Sequence, residues 1–119
     1  MGLFQVPGRL TGPTGFSIDM SLLVDTSAVF LVVPRAVADR LELRPTRTCS
    51  VELAGGRYEN WPLAEVRLRL GDQEVPTLCL ISAEGPVLLG AVALESLLLA
   101  VDPVHQRLVP VSAIVMTAA

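Results

Sequence analysis

Hydrophobic residues recur at every second position through much of the chain. In Phe16-Ser17-Ile18-Asp19-Met20-Ser21-Leu22 every apolar residue has one parity and every polar residue the other, and Ala64-Glu65-Val66-Arg67-Leu68-Arg69-Leu70 repeats the pattern with charges on its open face. Successive strand residues point to opposite faces, so both segments predict half-buried β-strands. Turn-forming clusters punctuate them: Thr11-Gly12-Pro13-Thr14-Gly15, Gly55-Gly56, Gly71-Asp72 and Glu84-Gly85-Pro86. Two stretches break the alternation. Pro34 to Leu41 opens with proline, suited to a first helical position, and places Val37 and Leu41 on one face. Ala91 to Leu98 stacks Leu94 over Leu97 and Leu98. Each predicts a short helix in an otherwise β chain.

A weak internal echo links the two helices. The apolar run Leu22-Leu23-Val24 leads into Asp25-Thr26-Ser27-Ala28, a strand and the first helix, while Val87-Leu88-Leu89 passes through Gly90 directly into the second. This pattern reads as a two-fold repeat inside one small domain spanning residues 1–119, not as an array.

Composition narrows the function. The chain has 119 residues, 51% of them hydrophobic but only 4% aromatic, so aliphatic side chains must fill its core. Its formal charge is −3 and its basic residues form no run, which argues against a nucleic-acid partner. The longest clean apolar run, Ala28 to Val33, is far below the roughly 18 residues a membrane span needs. Met1 to Val6 lacks the features of a signal peptide, and Val6 stands where a myristoylation signal wants Ser or Thr, so a cytoplasmic protein without membrane attachment is expected. Cys49, Cys79 and the single His105 have no metal-ligand spacing. The cysteines read as reduced, core-like thiols, His105 reads as a surface residue after the Asp102-Pro103 turn, and no cofactor or metal is expected. No GxSxG elbow exists to pair with that histidine.

Asp25 stands out because it interrupts two aliphatic runs, Leu22 to Val24 and Ala28 to Val33. A carboxylate between buried segments is costly unless it is hydrogen-bonded or neutral. The residues alone leave two readings open: a turn aspartate bonded to its own backbone, helped by Thr26 and Ser27, or a functional acid.

Val24-Asp25-Thr26-Ser27-Ala28, followed by a strand, a Pro-started helix and Leu41-Glu42-Leu43, resembles the active-site segment of retropepsin-like aspartic proteases. Leu88-Leu89-Gly90 leading into a helix resembles that family's second hallmark, and Val51 to Leu70 with its Gly55-Gly56 tip stands where the family has its flap hairpin. Leu99 to Pro103 and Arg107 to Pro110 resemble the closing strands of bacterial members, so the likeness spans residues 2–111. It implies an all-β, closed-barrel subunit with one or two short helices, working as a homodimer that hydrolyses peptides through two shared carboxylates. By the same resemblance Asp25 is the catalytic acid, Thr26 bonds across the dimer axis, and Ser27 completes the triplet. Ala28, Val87 and Leu88 line side-chain pockets. Ala54, Gly55, Gly56 and Arg57 lie at or near the flap tip over an extended peptide, with Trp61 bracing the flap base. Asp19, Asp39, Asp72 and Asp102 occupy strand, helix or turn contexts that do not suit a second acid.

Two departures bear on this expectation. Ser27 stands where the family has glycine, and its side chain is expected to crowd the site. The alternative is therefore a dimeric peptide-binding scaffold that does not cleave. Retroviral members also often pair an acid four residues after the catalytic one with an arginine following the Leu-Leu-Gly-like triplet. Here those positions hold Val29 and Ala91, which points to a dimer held by packing and by its terminal strands. The apolar segment Val111 to Ala119 is expected either to join Leu3 to Val6 in an intersubunit sheet or to pack as a strand on its own subunit.

Overall fold

A computed structural model describes residues 3–115. Alternation builds its first long hairpin: β1 (Phe4–Thr11) and β2 (Ser17–Val24) pair antiparallel from Phe4↔Val24 to Thr11↔Ser17 across the predicted Gly-Pro turn. β3 (Leu31–Pro34) runs into helix α1 (Arg35–Arg40). β4 (Arg47–Glu52), β5 (Tyr58–Leu70) and β6 (Gln73–Ser82) then form an antiparallel meander. β7 (Leu88–Leu89) leads into helix α2 (Ala91–Ser96), followed by the hairpin β8 (Leu99–Asp102) and β9 (Arg107–Pro110).

Seven strands join in the order β1-β2-β7-β3-β6-β5-β4, and β1 also pairs with β5 through Arg9 to Thr11. That extra pairing closes six strands into a ring and leaves β4 on the flank, so the barrel removes most of the free edges that an open sheet would expose. Two parallel pairings, β2 with β7 and β3 with β6, cross the ring beside the Asp25 loop. Leu10, Leu22, Leu31, Leu68 and Leu89 are fully buried and form the main core with Leu41 and Leu97. Each buried leucine contributes about 1.5–3 kcal/mol relative to exposure. A second, smaller cluster centred on Val32, Leu63 and Leu80 lies beneath the β4–β5 hairpin.

Several expectations need correction. Pro34 ends β3 and caps α1 instead of entering it, since its extended backbone (φ −68°, ψ 153°) suits both duties. Ala28 to Phe30 are not strand: the chain turns and bends there, and only Leu31 begins the ladder. Leu98 leaves the helical stack. The helix is capped at Leu97, Leu98 takes a positive φ of 54°, and its side chain is 45% exposed. The amino-terminal segment from Phe4 begins β1 and pairs along one edge with β2, while the pairing of β1 with β5 starts only at Arg9. Residues 111–115 form no strand, and Ile114 and Val115 are largely exposed; the rest of that predicted tail, 116–119, lies outside the described residues.

Candidate active site

The parallel register of β2 and β7 sets the position of Asp25. Leu23 N–H donates to the Val87 carbonyl at 2.9 Å, and Asp25 N–H donates to the Leu89 carbonyl at 3.1 Å, so the ladder carries Asp25 one residue beyond the strand end. The chain then turns, with Ala28 N–H donating to the Asp25 carbonyl at 3.2 Å. The amino-terminal N–H groups of a helix lack partners within it. Those of Ala91 and Val92 donate to the carbonyls of Ala28 and Val29, each at 2.9 Å, and thereby moor the loop to α2.

Gly90 makes this mooring feasible. A Cβ on residue 90 would lie against the carbonyl oxygens of Phe30 and Ala28, closer than backbone atoms tolerate. Val29 and Ala91 hold no ion pair, and the main-chain bonds from Val92 to Val29 and from Ala91 to Ala28 join the loop to the helix in the same place.

The half-buried Asp25 carboxylate accepts two hydrogen bonds, both on Oδ1: from Ser27 N–H at 3.0 Å and from the Ser27 hydroxyl at 2.5 Å. It opens on a cavity of about 580 Å³. Ser27, Ala28, Val29, Phe30, Val32, Leu80 and Leu88 line one side, while Cys49, Val51, Leu53 and Ala54 come from the overlying hairpin. Its lining is largely apolar, as a site for extended, hydrophobic side chains requires.

Hairpin geometry follows from its tip. Gly55 and Gly56 both have positive φ, 88° and 80°, a conformation that glycine adopts without a Cβ penalty. Leu53 N–H donates to the Arg57 carbonyl at 2.7 Å to close the turn. Behind it, Trp61 Nε1 donates to Glu59 Oε1 at 2.9 Å, Arg57 lies 3.8 Å from the same carboxylate, and the indole packs on the smaller core cluster. Trp61 thus joins the hairpin base to the cavity wall.

The expected site residues divide into four groups. Asp25, Ser27, Ala28, Ala54 and Leu88 meet around this cavity. Gly55, Gly56 and Arg57 form the exposed tip beyond its lining. Val87 does not reach it and must be corrected: β7 alternates, so Val87 and Leu89 enter the main core while Leu88 faces the cavity. Thr26 faces the opposite way, into a groove of about 640 Å³ formed with α2, β8 and residues 111–114. Sequence reasoning passed over Cys49 and Leu53 as lining residues. Their signal was the alternation Cys49, Val51, Leu53, whose facing could be assigned only once β4 was paired with β5.

Ser50 and Glu52 add polar groups to the cavity wall, whereas Cys79, His105 and the other aspartates stay outside the site. Burial pushes the Cys79 thiol up to about 12, as befits an inert core sulfur, whereas Cys49 is half-buried at the cavity wall. His105 is exposed beside Asp102, and hydrogen bonds from His105 and Arg107 hold the Asp102 carboxyl below its usual range. Asp19 is paired with Arg9 at 2.7 Å on the outer face. None of Asp19, Asp39, Asp72 and Asp102 lines the Asp25 cavity. Among the described residues, no group of three or more His, Cys, Asp or Glu side chains is arranged to hold a metal, and no helix is long and apolar enough to cross a membrane.

Comparisons agree with this architecture. The aspartyl protease family model matches residues 6–93. EIAV protease, solved with an inhibitor, superposes with a TM-score of 0.65 at 18% identity, covering 81% of this chain and 88% of its own. Simian foamy virus (mac) protease superposes with a TM-score of 0.57 at 16% identity, covering 79% and 94% respectively. No curated protein matches by sequence.

Proposed function

The chain belongs to the aspartyl protease family and has the retropepsin-like fold, and from that premise we propose that it is an aspartic endopeptidase whose two acids are Asp25 from each of two identical copies. One observation carries this reading. Asp25 sits on a moored loop at the edge of an apolar cavity roofed by a hairpin, and no other aspartate of the chain lines that cavity. Glu52, the other acid on the cavity wall, sits on the hairpin that roofs it, so a second aspartate has to come from a second copy, across a two-fold axis beside Asp25.

Thr26 indicates the side on which that copy docks. It opens on the groove where Leu98, Val111 and Ile114 leave apolar surface exposed, at 45%, 45% and 77%. Covering this surface buries hydrocarbon and brings the two Asp25 loops together. An extended peptide then lies between the cavities and under the hairpins, adding its main chain to theirs as a further strand.

The chemistry needs only water and the two acids. One carboxylate is ionised and takes a proton from the water as its oxygen attacks the peptide carbonyl carbon. The other acid gives its proton to the carbonyl oxygen, producing a neutral gem-diol. As the C–N bond breaks, the nitrogen receives a proton and a diol hydroxyl returns one to the carboxylate. The products are a carboxylic acid and an amine, and the dyad recovers its single shared proton. Like charges a few ångströms apart do not both ionise cheaply, so the two acids share one proton.

A second reading draws on Ser27. Its hydroxyl occupies Asp25 Oδ1, and a dimer so occupied would bind peptides without cleaving them. Asp25→Asn separates the two. The proteolytic reading predicts that cleavage of a mixed-sequence peptide pool falls by at least about a thousandfold at unchanged melting temperature. Equal cleavage by the variant, or peptide binding without cleavage by the parent, refutes it.

A further inference from the structure

Resting on the proteolytic reading above, we propose that Ser27 is a positioning residue for hydrolysis: its hydroxyl joins its own N–H on Oδ1 of Asp25 and holds the carboxylate in one orientation toward the water and the opposing acid. Two donors from one residue converge on one carboxylate oxygen, the backbone N–H at 3.0 Å and the hydroxyl at 2.5 Å. Among the described residues, no hydrogen bond reaches Oδ2. An unheld aspartate turns about both side-chain bonds, Cα–Cβ among staggered wells and Cβ–Cγ over a broad, nearly two-fold profile. A glycine at residue 27 would supply only the N–H. Serine adds a second donor to an ionised oxygen, and charge-assisted bonds of this kind are the stronger class.

This changes the expectation that the side chain merely crowds the site. In the structure the Ser27 hydroxyl turns toward the carboxylate and engages it. Holding the carboxylate through one oxygen fixes its plane before the water is activated, so less reorganisation remains for the reaction itself. The contact is with the acid and not with the peptide. Its loss is therefore expected in turnover and not in substrate binding.

The test compares Ser27→Ala, Ser27→Gly and Ser27→Thr with the parent by steady-state peptide cleavage. Removing one charge-assisted donor should lower kcat about tenfold in the Ala and Gly variants while KM stays within about twofold, and Thr, which keeps the hydroxyl, should restore the parental kcat. Parental kcat in Ser27→Ala, or a faster Ser27→Gly, overturns the proposal; the latter would show that the side chain obstructs. A second measurement needs no turnover. Three-bond scalar couplings of Asp25 should report one side-chain rotamer in the parent and in Ser27→Thr, and averaging in Ser27→Ala. Averaging in the parent overturns the clamp, whereas a single rotamer in a parent that cleaves no peptide upholds the clamp and defeats the proteolytic reading alone.

Discussion

Two apolar strand ends, Leu22–Val24 and Val87–Leu89, lie side by side in parallel and then diverge. The first runs into Asp25-Thr26-Ser27 and exposes a carboxylate with its own donors. The second runs into Gly90 and a helix, and carries no chemistry. The difference assigns the labour. One end presents the reacting group, and the other exists in a form bare enough for the backbone of the first to rest on it. Asp25 N–H reaches Leu89, and Ala91 and Val92 reach Ala28 and Val29, so the loop is held by main-chain bonds to its counterpart.

The sharpest way to break this comparison is to give the second end a side chain. Gly90→Ala places a methyl group against the Phe30 and Ala28 carbonyls, both parts of the backbone and unable to swing aside. Overpacking of this kind costs about 1–3 kcal/mol. It should also displace the Asp25 loop, so peptide cleavage is expected to fall by at least about a hundredfold, more than the stability loss explains. Thermal unfolding and cleavage rates measured together check both halves of the statement. Parental activity in a folded Gly90→Ala would show that the loop does not depend on this contact.

A smaller effect sharpens the division within β7 itself. Leu89 is fully buried in the main core, and Leu88 faces the cavity. Leu89→Ala should cost about 2–5 kcal/mol in urea unfolding, as large-to-small core changes do. Leu88→Ala should cost about 1 kcal/mol and act mainly by raising KM for peptides with apolar side chains. Equal destabilisation by the two would contradict the assigned facing.

The same contrast explains what the sequence disclosed. β2 and the second half of β5 were legible because each has one wet face, which imposes strict alternation between Ile18 and Leu22 and between Ala64 and Leu70. Asp25 was legible because a charge among aliphatics demands a reason. Val87-Leu88-Leu89 carries no polar residue to mark parity, so Val87 was assigned to the cavity when it belongs to the core. Ala28-Val29-Phe30 looked like strand because hydrophobicity alone does not distinguish a core residue from one lining a cavity or an interface; Val29 is 60% exposed. The cavity roof came from β4, whose facing depends on its pairing with β5 and not on any local signal. Ser27 was visible as a departure from glycine, but the direction of its hydroxyl is a matter of geometry.

Subunit mixing tests the shared dyad most directly. Parent chain at fixed concentration is refolded together with an equal amount of Asp25→Asn chain, and peptide cleavage is measured. If each active site needs Asp25 from two copies, random pairing leaves the parent with about half of its original activity. Unchanged activity would mean that one chain carries a complete site, contradicting the account.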